Sequence, residues 1–205
     1  MGDYKTKLNA KLAAEHMKKN NFYPKTILNI GIGPSHGEKI VWLEKFPESD
    51  LMGVDIRGIG RWGQPFVNAL VTNKETAENT KTVMFCWACK SIKCNIPEHK
   101  IHLRPHNITT IDKIVEDKKL EAPFFMWIDI EGAELDALKG ATETLPKIVL
   151  INIEMREFQW TTDYCSQLHS FLVDNGFKLI DQGEVAIKNK LEDKLYQRID
   201  WKPTL

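Results

Sequence analysis

Trp127-Ile128-Asp129-Ile130-Glu131-Gly132-Ala133-Glu134-Leu135-Asp136-Ala137-Leu138-Lys139-Gly140-Ala141 is the stretch from which the rest of the chain is read. It continues an apolar run that starts at Phe124, and that run predicts a strand buried on both faces, as in a parallel sheet. Asp129 interrupts the run near its C-terminal end. Glu131-Gly132 then breaks the strand, and Leu135, Leu138 and Ala141 fall at helical spacing. Glu131, Glu134 and Asp136 sit around the first turn of that helix, where the macrodipole favours negative charge. Ligands of open α/β sheets bind outside the carboxyl ends of the strands. The carboxylate-bearing turn after this strand is therefore the place to look for chemistry.

A second unit of the same kind lies near the N-terminus. Thr26-Ile27-Leu28-Asn29-Ile30 predicts a strand, and Gly31-Ile32-Gly33-Pro34-Ser35-His36-Gly37-Glu38 follows it into a helix over residues 39–46. Gly31 and Gly33 are expected to let the backbone turn tightly and approach a ligand where a Cβ would clash. The next strand, Asp50-Leu51-Met52-Gly53-Val54-Asp55, ends in an acid. A carboxylate at that place can accept hydrogen bonds from both ribose hydroxyls of an adenosine moiety. The dinucleotide fingerprint calls for glycine where His36 stands, which counts against a nicotinamide-dependent oxidoreductase.

The remaining elements follow the same alternation. Residues 3–20 carry Leu8, Leu12, Ala13 and Met17 at helical spacing with lysines between, an amphipathic helix laid against the domain. Residues 57–66 read as a loop at the rim of the site. Short strands are expected at 68–72, 83–87 and 101–104, with polar turns at 72–75 and 79–81. Thr109-Thr110-Ile111-Asp112 opens a helix, with Thr110 or Asp112 as N-cap. Residues 147–154 form another buried strand, and it too ends in an acid, Glu154. A helix over 161–175 closes at Gly176, and strands at 177–180 and 195–201 complete the chain, the last one antiparallel. The expected fold class is α/β: one domain over residues 1–205, Rossmann-like, with a mostly parallel central sheet covered by helices on both faces.

Composition narrows the function. The 28 basic residues balance 28 acidic ones, whereas a chain that lives on phosphate contacts shows a basic excess or stripe. Nucleic acid is thus disfavoured as the main partner. No apolar run reaches the ~20 residues of a membrane span, and the lysine-rich N-terminal segment lacks the apolar core of a secretory signal. A cytoplasmic protein without membrane contact is expected. Cys86, Cys89 and Cys94, with His99, His102 and His106 downstream, approach metal-ligand spacing without two clean ligand pairs. They are read as reduced, structural cysteines, and no metal site is assigned.

Ile128-Asp129-Ile130-Glu131-Gly132-Ala133-Glu134-Leu135, followed by Leu138-Lys139-Gly140-Ala141, resembles the signature of FkbM-type S-adenosylmethionine (SAM) methyltransferases. The resemblance runs from about Ile27 to Ile180 and is strongest in this signature. It implies a class I methyltransferase fold, SAM as cofactor, and O-methylation of a hydroxyl on a sugar or other small molecule. On this reading Asn29, Gly31, Gly33, Asp55, Ile56 and Asp129 bind the cofactor. A hydroxyl acceptor must also lose a proton, which calls for a base or a metal; Asp129, Glu131, Glu154 and His36 are the catalytic candidates. Asp129 equally suits the amino group of the methionine moiety. Asp129, Asn152 and Glu154 also offer oxygen ligands of the kind that hold Mg²⁺. Two rivals remain: an RNA methyltransferase, weakened because no lysine accompanies Asp129 in its strand, and a non-catalytic SAM-binding module.

Overall fold

The five residues Phe124–Ile128 are all buried and form a strand at the middle of the sheet, as hydrophobicity on both faces requires. The computed structural model describes residues 2–32, 37–56, 65–80, 82–86, 103–155, 162–181 and 192–202. Its elements are α1 (Gly2–Lys19), β1 (Thr26–Ile30), α2 (Gly37–Lys45), β2 (Asp50–Val54), β3 (Phe66–Val67), β4 (Leu70–Val71), α3 (Lys74–Asn79), β5 (Thr82–Cys86) and β6 (Leu103–Thr109). They continue as α4 (Ile111–Asp117), β7 (Phe124–Ile128), α5 (Glu134–Lys139), β8 (Ile148–Met155), α6 (Thr162–Asp174), β9 (Phe177–Asp181) and β10 (Glu192–Arg198).

The main sheet has seven strands in the order β3-β2-β1-β7-β8-β10-β9. Strands β3, β2, β1, β7 and β8 pair in parallel, and β10 runs antiparallel to both β8 and β9. This is the Rossmann-like class I arrangement expected from the sequence, its antiparallel last strand included. Ile30 pairs with Val54 on one side and Ile128 on the other, so the central strands finish flush at their carboxyl ends.

Alternation along these strands builds one core on each face of the sheet. Leu28, Ile30, Met52, Val54, Met126, Ile128 and Ile153 share a core with Leu135, Leu138, Leu168 and Leu172 from α5 and α6. Ile27, Leu51, Phe125 and Trp127 pack instead with Ala13 and Met17 of α1 and with Val41 and Trp42 of α2. The Trp42 ring meets Phe125 at 5.1 Å and Trp127 at 5.7 Å, edge to face in both cases. Each fully buried large side chain of this kind contributes about 1.5–3 kcal/mol. Among the described residues no helix is long and apolar enough to cross a membrane.

Several expectations change. The polar stretch 72–75, read as a turn, instead runs into α3 at Lys74: Asn73 caps the helix by accepting the Thr76 N–H at 2.8 Å, and the residues that follow are adequate helix formers. The strand before the signature turn stops at Ile128 rather than Ile130. The helix after it, which the sequence extends as far as Leu145-Pro146, is only six residues long and ends at Lys139. A Cβ at Gly140 would overlap the carbonyl oxygen of Thr72, so the chain at this point lies too close to its neighbour to carry a side chain. Finally, the short central strands form a separate three-stranded sheet, β4-β6-β5. Thr110 is the N-cap of α4, accepting from Lys113 N–H at 3.1 Å. Asp112 fastens the turn beyond α5 instead, through the N–H groups of Glu143 at 3.0 Å and Thr144 at 2.8 Å. Of the expected loop over 57–66, Phe66 instead begins β3, while residues 57–64 lie outside the described residues, as do Cys89, Cys94, His99 and His102.

Candidate active site

The carboxyl ends of β1, β2 and β7 are stitched together by backbone. Gly31 N–H donates to the Val54 carbonyl at 2.8 Å, and Asp129 N–H donates to the Ile30 carbonyl at 2.9 Å. Gly31 has φ +86°, and a Cβ on it would overlap the Asp129 carbonyl oxygen. Glycine is thus required there by the neighbouring strand's backbone. Beyond β2, Asp55 N–H donates to the Val67 carbonyl at 3.2 Å, while the Asn68 amide donates to the carbonyls of Asp55 at 2.9 Å and Ile56 at 3.1 Å.

Above this floor opens a half-enclosed cleft of about 70 Å³ at the carboxyl ends of the strands. Its apolar wall comes from Ile30, Val54, Ile56, Ile130 and the segment Ala69-Leu70-Val71. Its charged groups are Asp55, Asp129 and Glu131, and no lysine, arginine or histidine is among the described lining residues. Carboxylates gathered in a half-enclosed apolar site favour a ligand that brings positive charge and hydrogen-bond donors.

The turn carrying two of these acids has an unusual backbone. Glu131 (φ +59°) and Gly132 (φ +100°) are consecutive left-handed residues, a conformation that glycine tolerates and glutamate rarely adopts. The fully buried Glu134 reaches back under them. Its carboxylate accepts the N–H of Ile130 at 3.0 Å and the N–H of Gly132 at 3.1 and 3.0 Å. The Tyr164 hydroxyl donates to it at 3.1 Å and accepts Leu135 N–H at 3.2 Å. Burial pushes the Glu134 carboxyl above its ordinary pKa, and these hydrogen bonds hold it partly back. Burial, with the Glu134 charge beside it, raises Tyr164 as well.

Of the residues singled out from sequence, Gly31, Asp55, Ile56, Asp129 and Glu131 line the cleft together. Glu154 is buried on β8; Ile128 pairs with Ile153, so the residues that follow, Asp129 and Glu154, sit side by side at the sheet edge. Asn29 faces the other way, towards α2: its amide donates to Glu38 at 3.2 Å, and its oxygen accepts the Trp42 indole N–H at 3.3 Å. Gly33 and His36 lie outside the described residues. Among the described residues no three His, Cys, Asp or Glu side chains cluster as metal ligands. Sequence reading missed the Ala69-Leu70-Val71 wall and the Glu134–Tyr164 pair. An acid in the first turn of a helix reads as a response to the macrodipole, and nothing local signals that it folds back on the preceding loop. His106, read from sequence only as a possible metal ligand, has its pKa lowered by burial, with the Asp55 charge offsetting part of that.

The model of the methyltransferase FkbM domain matches residues 15–179. The chain belongs to the FkbM methyltransferase family. No curated protein matches it. Among solved structures it is similar to a ribosomal RNA methyltransferase of Plasmodium falciparum (14% identity, TM-score 0.48, 92% of this chain and 94% of that one). It is similar also to a precorrin-6y C5,15-methyltransferase of Geobacter metallireducens (11% identity, TM-score 0.43, 94% and 88%). A third is an O-methyltransferase of Bacillus cereus in complex with SAH (12% identity, TM-score 0.43, 92% and 79%).

The cofactor of this FkbM methyltransferase is SAM, and the chemistry of the cleft's described lining suits it. The apolar wall suits an adenine ring, and the acids suit hydroxyl donors, an ammonium and a sulfonium. An anionic pyrophosphate would meet carboxylates on every described polar surface of the cleft.

Proposed function

We propose that this FkbM methyltransferase methylates a hydroxyl group on a sugar or another small molecule, with the cleft between β1, β2 and β7 as the SAM site. The observation that carries the reading is the cleft's composition: three carboxylates and an apolar wall, with no described cation. Asp55 accepts from the ribose hydroxyls, Gly31 and Ile56 shape the floor and wall, and Asp129 holds the amino group of the methionine moiety. SAM supplies the chemistry, an electrophilic methyl group on a sulfonium.

The protein's own tasks are to orient the acceptor and to take its proton. Orientation alone is worth ~7–11 kcal/mol in well-aligned displacements. Glu131 is the base, because it faces the cleft from the turn beside Asp129; Asp129 itself, Glu154 and His36 are the further candidates. The balanced charge of the chain and the absence of a lysine beside Asp129 argue against an RNA acceptor. A cytoplasmic location and a single domain over residues 1–205 complete the proposal.

The test is a thermal shift of the protein with SAM, S-adenosylhomocysteine (SAH) and NAD in parallel. A ligand at ~100 times its Kd stabilises by about 2.7 kcal/mol, so SAM and SAH raise the transition and NAD leaves it unchanged. No rise with either SAM or SAH refutes the reading. Asp55→Ala abolishes the rise. Asp129→Asn lowers methyl transfer by at least about tenfold in a folded protein, the loss expected when one oriented polar contact is removed.

A further inference from the structure

The N–H groups of Ile130 and Gly132 lie beyond the end of β7, so the sheet supplies them no acceptor. Both are received by one side chain, the Glu134 carboxylate, which is fully buried. Between them Glu131 holds a left-handed conformation that its own preferences oppose. Such a conformation persists only when its surroundings over-determine it. Tyr164, from the first turn of α6, closes the arrangement by donating to Glu134 and accepting from Leu135. It thereby joins the loop after β7 to the helix that follows β8, the strand carrying Glu154.

We infer that Glu134 and Tyr164 are positioning residues of this methyltransferase: they clamp the turn over residues 129–132 in the conformation that presents Asp129 and Glu131 to the cleft. The inference rests on the reading of that cleft as the SAM site. Neither side chain touches the cofactor or the acceptor; both act through the backbone that carries the acids. The clamp requires a carboxylate. Glutamine has the same length but one acceptor oxygen, and its amide N–H groups would face the Gly132 N–H. Aspartate is one methylene too short to reach it.

The experiment compares the full-length wild type with Glu134→Gln, Tyr164→Phe and a control, Asp112→Asn. Asp112 makes a comparable set of carboxylate-to-backbone bonds at the 142–144 turn, away from the cleft-lining residues. SAH affinity is measured by calorimetry, and exchange of individual amides by NMR, at a temperature where every variant is folded. Glu134→Gln is expected to weaken SAH by about tenfold to a hundredfold, the loss that follows a displacement of roughly 1 Å in a binding group. It should also speed exchange at Ile130 and Gly132 while amides of β8 exchange as in the wild type. Tyr164→Phe, which removes one hydrogen bond from the clamp, weakens SAH by roughly fivefold. It covers the case in which Glu134→Gln does not fold. Asp112→Asn loses stability without losing SAH affinity. Unchanged SAH affinity in the folded clamp variants overturns the inference, as does an equal loss in Asp112→Asn. If the unmodified protein does not bind SAH, the failure belongs to the proposed function, and this inference falls with it.

Discussion

The turns that leave β1 and β7 border the same cleft and face the same steric problem: each backbone enters a left-handed conformation shortly after a buried parallel strand. It does so at Gly31 immediately after β1, and at Glu131, two residues beyond Ile128's neighbour Asp129. At Gly31 the solution is a missing atom. No side chain fits against the Asp129 carbonyl, and the turn is held by backbone hydrogen bonds to the neighbouring strands. At residues 131–132 the solution is an added group. Glu131 keeps its side chain for the cleft, and a buried carboxylate from α5 secures the backbone beneath it. Gly31 cannot itself carry a functional side chain, whereas the clamped turn presents one at Glu131, at the cost of burying the Glu134 carboxyl. The pair shows why a left-handed residue with a cleft-facing acid sits on the second turn and the close strand-to-strand contact on the first.

Several substitutions break or sharpen this comparison. The largest effect is expected at Gly31. Gly31→Ala combines a left-handed alanine with a backbone overlap, and should destabilise by at least ~2 kcal/mol, read as a drop in the urea midpoint together with loss of SAM binding. Gly132→Ala carries the conformational penalty of a positive φ while Glu134 still holds the turn; about 1 kcal/mol is expected by the same measurement. A loss equal to that of Gly31→Ala would show that the two turns are not secured differently.

A third prediction uses pH. The folded Glu134 carboxyl is raised above its ordinary value of 4.5, so the native state holds this proton more tightly than the unfolded chain does. Its contribution to stability is fully present below the ordinary value and is lost as pH rises through the raised folded value. Wild type should therefore lose stability relative to Glu134→Gln as pH climbs through that window, then run parallel to it. Urea midpoints of both proteins across the window check this; a difference that grows towards acid in favour of the variant would reverse the sign and refute it. The smallest effect is expected at Glu131→Gly, which relieves the left-handed strain but frees the unfolded chain, and should change stability by less than ~1 kcal/mol. Methyl transfer should nevertheless fall, separating what Glu131 does for the acceptor from what it does for the fold.

Much of the architecture was legible in the chain because strands buried on both faces cannot hide. The strands Thr26–Ile30, Asp50–Val54, Phe124–Ile128 and Ile148–Met155 form on the apolar runs the sequence marks, with ends shifted by at most two residues. Asp55 and Asp129 follow their strands directly, so the sheet's register alone brings them to one edge. Glu134 was visible only as an acid in a first helical turn, and Asn29 as a polar residue beside a glycine turn. The first serves the backbone behind it, and the second binds Glu38 and Trp42 on the far face of the sheet. Helix α3 was missed because Asn73 and its neighbours suit a turn as well as a cap.

Sequence by itself determined the parallel α/β sheet, the two strand-to-helix turns and the acids that close the strands. These follow from periodicity and from what glycine and carboxylates do locally. Only the tertiary structure decided which acid serves the cleft and which serves the turn. That choice depends on where a side chain's hydrogen-bond partners lie in space, and the partners of Glu134 include Tyr164, thirty residues further along the chain.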